Sequence, residues 1–165
     1  MNFKDFTHHI KRQALELEQF IKDDLLDIIE VEGLEHFEES FDNEGFTDEH
    51  LEKWKARKVE DKRGRDITRY RTNRVGRAGE LNQYGRQNEG RAILTGHDSG
   101  DKLRHSLKSR KISKGVEFSS DKEYAEVHNE GDDNHEQRQF IGHSKVLDAK
   151  IFRQVDKRLD NIFKK

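Results

Sequence analysis

Apolar positions in the first thirty residues recur at three- and four-residue steps: Phe3, Phe6, Ile10, Leu17, Phe20, Ile21, Leu25, Ile28 and Ile29, with acids and lysines between them. Steps of that length return to one face of a helix, so the pattern predicts a long amphipathic helix. A second helical stretch is expected from about Leu34 through Phe37 and Phe41, with Gly33 and Gly45 as punctuation at its ends. Thr47, in FTDEHLEKWK just ahead of Trp54, is placed to cap a short turn.

Further along, the period changes. Leu103 and Leu107 bracket a stretch leading into RKISKGVEFSS, where Ile112, Val116 and Phe118 flank Lys114-Gly115; this predicts two short strands around a tight turn. DKEYAEVHNEG reads as a short helix stopped by Gly131, followed by the polar loop GDDNHEQRQ and a short apolar FIG. Leu147, Ile151, Val155, Leu159 and Ile162 then mark a C-terminal amphipathic helix that ends in Lys164 and Lys165, cations that suit the negative end of its dipole. N-terminal helices, a small antiparallel sheet and a C-terminal amphipathic helix make an α+β class.

Length and composition narrow this to one domain spanning 1–165, because 165 residues build one core. Charged residues are 40% and hydrophobic residues 30%, with a mean hydropathy of -1.17. Leu, Ile, Val and Phe together are 39 of 165 residues, just above the level at which disorder is expected. The core is therefore thin. No apolar run is long enough to span a membrane, and MNFKDFTHH lacks the apolar centre of a secretory signal; the expectation is a protein that stays inside the cell that makes it. With no cysteine there is no disulfide framework or thiolate metal site, and with no proline the 12 glycines punctuate the fold.

The net charge of -2 is a cancellation. Residues 1–52 carry 4 basic and 16 acidic side chains, residues 53–91 carry 13 and 5, and residues 92–165 carry 15 and 13. In the basic block only Val59, Ile67, Val75 and Leu81 are large aliphatics, so it buries little surface and reads as a mobile loop or arm at about 55–90.

Candidate chemistry is sparse. His128, Asp132, Asp133 and His135 form the densest cluster of ligand-type side chains, but their spacing matches no zinc signature, and a solvated polar loop is the default. Calcium-loop readings fail on the position of glycine, at Gln137 in one case and Gly45 in the other. GRAGELNQYGRQNEG and TGHDSGD lack the spacing of a phosphate loop. Ser99, Ser106, Ser144, His97, His105 and His143 can be combined into many triads, and no GxSxG elbow selects one. No catalytic residue, metal or cofactor is assigned. The basic block carries more information: RGRDITRYRTNRVGR places Arg63, Arg65, Arg69, Arg71, Arg74 and Arg77 together with Tyr70 between them. Guanidinium forks with an interleaved ring suit phosphate contact and base stacking. Neutralisation by the acidic first segment, within the molecule or on a neighbouring copy, competes with that reading.

Four stretches, taken in order and spacing, resemble the phage virion morphogenesis family, the tail-completion proteins of Mu-like phages and prophages. SFDNEGF followed by Trp54 is similar to the family's Phe, Glu-Gly and Trp at the end of its helical region. AILTGHDSGDKLRHSLK, with Gly96, Leu103 and Ser106, is similar to its Thr-Gly, then Leu-Arg-x-Ser pattern. GVEFSSDKEYAEVHNEG, with Tyr124, Ala125, His128 and Gly131, resembles its strand followed by Tyr-Ala, His and Gly. RQFIGHS, with Arg138, Phe140 and Gly142, resembles its Arg-Pro-Phe-Leu-Gly segment, with Gln139 in the place of proline.

The resemblance implies a non-enzymatic structural protein that finishes the tail or joins tail to head as a homo-oligomeric ring. Its implied partners are further copies of itself and the tail tube, tail terminator or head connector, with no membrane. Its implied location is the bacterial host cytoplasm during assembly, then the tail or neck of the virion. Tyr124, Ala125, His128 and Gly131 become a structural turn, and Phe140 and Ile141 become core or interface residues. A nucleic-acid-binding module using the arginine-rich arm is the alternative, with a metal-dependent nuclease on the His128–His135 cluster behind it.

Overall fold

The computed structural model describes residues 2–71, 80–94 and 102–164. Helix α1 (Phe3–Gln19) starts at Asn2, whose side-chain oxygen accepts from the Asp5 N–H at 2.9 Å, satisfying a donor that has no partner inside the helix. A single π-helical turn, Phe20–Asp24, joins it to α2 (Leu25–Asp42) without leaving helical backbone. The result is a helical rod of forty residues, about 60 Å at the α-helical rise. The expected break at Gly33 is absent: Gly33 lies inside α2, buried, because the Phe118 ring occupies the space a side chain would need. A Cβ there would sit 2.2 Å from the Phe118 ring tip. Glycine serves close approach at this point rather than termination.

The turn expected after Thr47 is instead a small hairpin, β1 (Gly45–Thr47) paired antiparallel with β2 (Leu51–Lys53). Gly45 is again a packing glycine, with the backbone of Glu52 and Lys53 within 3.0 Å of where its Cβ would be. The second hairpin joins β3 (Leu107–Ile112) to β4 (Gly115–Ser120), with Leu107 opposite Ser120 and Ile112 opposite Gly115. That register makes Ser113 and Lys114 the two turn residues, one position earlier than the sequence suggests. Val116, Phe118 and Ser120 are half-buried while Glu117 and Ser119 are exposed, the alternation of a ribbon with one face on a helix.

Short helix α3 (Gln83–Asn88) lies in the basic segment and α4 (Ala125–Glu130) follows the second hairpin. Gly131 ends α4 in left-handed backbone at φ 75°, as the sequence predicts. Helix α5 (Lys145–Phe163) is capped by Ser144 and runs antiparallel to the long rod. Its successive contacts descend the rod: Lys150 to Glu39, Gln154 to Glu32, Arg158 to Asp24, and the Ile162 carbonyl to Gln13. The class is α+β, built from helices and two small antiparallel ribbons.

The core has two neighbouring parts. Phe37, Phe46 and Leu147 lie between α2, the first hairpin and α5; Phe41, Trp54, Leu103, Ala125 and Phe140 lie at the C-terminal end of α2. Phe37 meets Phe118 edge to face at 5.1 Å, and Phe41 meets Trp54 the same way at 5.6 Å. Among the described residues, six of the ten buried hydrophobic side chains are aromatic, which gives a thin core its bulk.

Candidate interaction surface

The four family-like stretches meet in one place. Trp54, Leu103, Ala125 and Phe140, one from each, pack together around Phe41. Polar atoms lock the cluster: the Trp54 indole N–H donates to the Gln139 carbonyl at 2.8 Å, and Asn129 Oδ1 accepts from the N–H groups of both Phe140 and Ile141. Ser106 is buried, donating to the Leu103 carbonyl at 2.7 Å and sharing a 2.6 Å hydrogen bond with the Ser120 hydroxyl. The Arg138 N–H donates to the His128 carbonyl at 2.7 Å, closing the polar loop back onto α4. A Cβ at Gly131 would lie 2.9 Å from the Gln137 backbone nitrogen, and one at Gly142 would strike the Gln139 side chain. Tyr124 differs from its neighbours: it is exposed and meets His128 only at the ring edge. Gly96 lies outside the described residues.

A second buried polar group was not signalled by the sequence. His36 lies on α2 with its Nε2–H donating to the Thr47 carbonyl at 3.0 Å. The same carbonyl accepts from the Ser144 hydroxyl at 2.8 Å, and that hydroxyl accepts from the Leu147 N–H as the cap of α5. One backbone oxygen thus ties α2, β1 and α5 together. Burial holds the His36 imidazole below its ordinary titration range, against the smaller opposing effect of the Thr47 carbonyl. Its Nδ1 is buried without a hydrogen-bond partner, as befits a neutral ring.

Over its described parts the basic segment carries local structure. Val59 and Ile67 are joined by a backbone hydrogen bond, Glu60 pairs with Asp66 and Arg71 with Leu81 as isolated β-bridges, and α3 follows. Asp61 accepts from the N–H groups of Arg63 and Arg65 and from the Arg65 guanidinium, and these hydrogen bonds hold its carboxyl below the usual range. Tyr70 stacks edge-on with Tyr84 at 5.5 Å, and Gly85 lies against the Tyr70 carbonyl, where no side chain fits. Arg71 lies 3.5 Å from Asp66. Of the arm residues singled out in the sequence, Arg65 and Arg71 are paired with the arm's own acids, and Arg63, Arg65 and Arg69 are exposed. Arg74 and Arg77 lie outside the described residues. Arg57 reaches across to donate to the Ala92 carbonyl, and burial lowers its pKa, with the nearby charge of Arg91 acting in the same direction.

Among the described residues, several acids of the first segment pair with cations that follow the arm. Asp27 and Glu30 pair with Lys111 of β3, Asp42 with Arg104, Glu39 with Lys150, Asp24 with Arg158 and Glu49 with Lys145. All of these cations belong to residues 92–165. The exposed ion pairs are individually weak.

At the other candidate cluster, Asp132 accepts from the N–H groups of Asn134 and His135 and from the His135 ring at 2.8 Å, forming a local turn. His128 stands apart, its ring 6.4 Å from that of His135, and its pKa is lowered by burial and then by Arg138. Among the described residues no three His, Asp or Glu side chains converge as metal ligands. No described helix is long and apolar enough to cross a membrane. The chain matches no family model, no curated protein and no solved structure.

Proposed function

We propose that this chain is a non-enzymatic structural protein of phage virion assembly, which completes the tail or joins tail to head as a ring of identical subunits. The observation that supports this reading is the convergence of Trp54, Leu103, Ala125 and Phe140: four stretches read as family-like from the sequence supply the side chains of one core. In this reading the rod, the second hairpin and α5 build the subunit, and the basic segment faces a neighbouring copy, the tail tube, a tail terminator or a head connector. The protein works in the host cell during assembly and ends in the tail or neck of the particle.

Electron microscopy of lysates from a phage or prophage with a frameshift in this gene, beside a complemented control, tests the proposal. Filled heads beside unattached or abnormal-length tails are expected. Normal infectious particles would overturn it. Nucleic-acid contact through Arg63 and Arg69 is incidental in this reading.

A further inference from the structure

One turn of the rod departs from the α-helical period. Between α1 and α2 the backbone of Phe20–Asp24 is π-helical, and the Leu25 N–H donates to the Phe20 carbonyl, five residues back instead of four. Such a turn holds one residue more than an α-helical turn, and it is rare, occurring mostly as a single turn inside an α-helix. Nothing local calls for it. No glycine or proline lies between Leu17 and Ile28, and Ile21, Lys22 and Asp23 are exposed. The cause therefore lies in what the two halves of the rod touch.

Both halves touch α5. From α1, Gln13 donates to the Ile162 carbonyl at 3.4 Å, and Phe20 and Ile162, each buried, line one recess with Arg158 and Asn161. From α2, Glu32 accepts from the Gln154 amide at 3.0 Å, and Glu39 accepts from Lys150 at 3.1 Å. Glu32 and Glu39 follow Gln13 by 19 and 26 positions. In an unbroken α-helix, at about 100° per residue, they would point about 100° and 80° away from Gln13. With one residue in surplus those offsets fall to about 0° and 20°. Asp24, inside the turn, still reaches Arg158 at 2.6 Å. The surplus residue thus returns α2 to the face that α1 presents to α5.

We infer that Phe20–Asp24 is a phase-correcting joint: it holds one surplus residue that keeps α1 and α2 on the same face of α5, and its π-helical shape serves no other purpose in the fold. The joint makes the forty-residue rod and α5 one body rather than two helices hinged at Phe20. If the turn were instead needed for its own shape, removing its surplus residue would harm the fold. This inference stands on helix geometry and is independent of the assembly function proposed above.

Length variants of the full chain test it, read by thermal unfolding and by helical circular dichroism. Asp23 is exposed and takes no part in the ion pairs of Lys22 and Asp24. Its deletion removes the surplus and shortens the rod by at most about 1.5 Å. The thermal midpoint should then stay within about 3 °C of the parent or rise above it, with helical content retained. One alanine inserted after Asp23 adds a second surplus residue and turns α1 by about 100°. Gln13 and Phe20 then leave α5, and the midpoint should fall by at least about 6 °C. Deletion of Val31, also exposed but within regular α-helix, should be as harmful as the insertion. A chain that unfolds on deletion of Asp23, or loses as much stability as with the insertion, would overturn the inference. An insertion as mild as that deletion, or a harmless deletion of Val31, would overturn it equally, because the two halves would then have no common face to keep.

Discussion

The rod with its α5 partner and the basic segment hold their shape by different means. In the former, side chains separated by more than a hundred positions meet, as Glu39 with Lys150 and Gln13 with the Ile162 carbonyl, around buried aromatic rings. In the latter, order comes mainly from neighbours: Asp61 with Arg63 and Arg65, Asp66 with Thr68, Tyr70 with Tyr84. Its Val59 and Ile67 are each 49% exposed. Ties to the rest are few among the described residues, chiefly Lys55 with Glu136, the Lys55 carbonyl with Arg138 and Arg57 with the Ala92 carbonyl. Long-range burial makes a cooperative unit, whereas short-range hydrogen bonds at the surface open locally at low cost.

The contrast can be broken most sharply at Phe41, which is 1% exposed and touches both Trp54 and Phe140. Phe41→Ala should cost about 3–5 kcal/mol in urea unfolding, against less than about 1 kcal/mol for Ile67→Ala in the basic segment. Equal losses would show that the two regions form one cooperative core. Gly33→Ala comes next. Helix propensity alone favours alanine by about 1 kcal/mol, yet the new Cβ collides with the Phe118 ring, so a net destabilisation of about 1–3 kcal/mol is expected. A stabilised variant would mean that the ring moves away freely.

Acid sharpens the comparison further. His36 and His128 have pKa values lowered by burial, both within the part held by long-range contacts. The unfolded chain therefore binds protons before the folded one does. Their contribution is intact above the ordinary histidine value of about 6.5 and is lost as pH falls through it toward the folded values. The urea midpoint should decline below that pH, and less so in His36→Gln; a pH-independent midpoint down to pH 5 would contradict the burial of a neutral His36. The smallest effect on stability should follow deletion of 56–88. The thermal midpoint is expected to shift by only a few degrees while particle assembly is lost, and a large drop in the midpoint would place the segment in the core.

The elements that local chemistry sets by itself were readable in the chain. The steps from Leu147 to Ile162 mark one helix face, Gly131 stops α4, and the alternation in GVEFSS marks β4; each depends on residues a few positions apart. The four stretches around Trp54, Leu103, Ala125 and Phe140 were visible too, though not that they share a core. Less legible was β1–β2, whose strands are three residues long and carry no alternation to count. The basic segment reads as a mobile loop or arm because its aliphatic content is low, a measure that does not register Asx turns, a tyrosine pair or a packing glycine.

Periodicity along the chain determined the long helices and the second hairpin, because an amphipathic face is a property of spacing alone, and composition set a thin core. The tertiary structure decided the rest. It made Gly33 a seat for Phe118 rather than a helix end, and gave His36, Thr47 and Ser144 a common oxygen. Among the described residues it also matched acids of the rod to cations of β3 and α5. These choices depend on which faces meet across the fold, and contacts between positions far apart in sequence leave no local pattern to read.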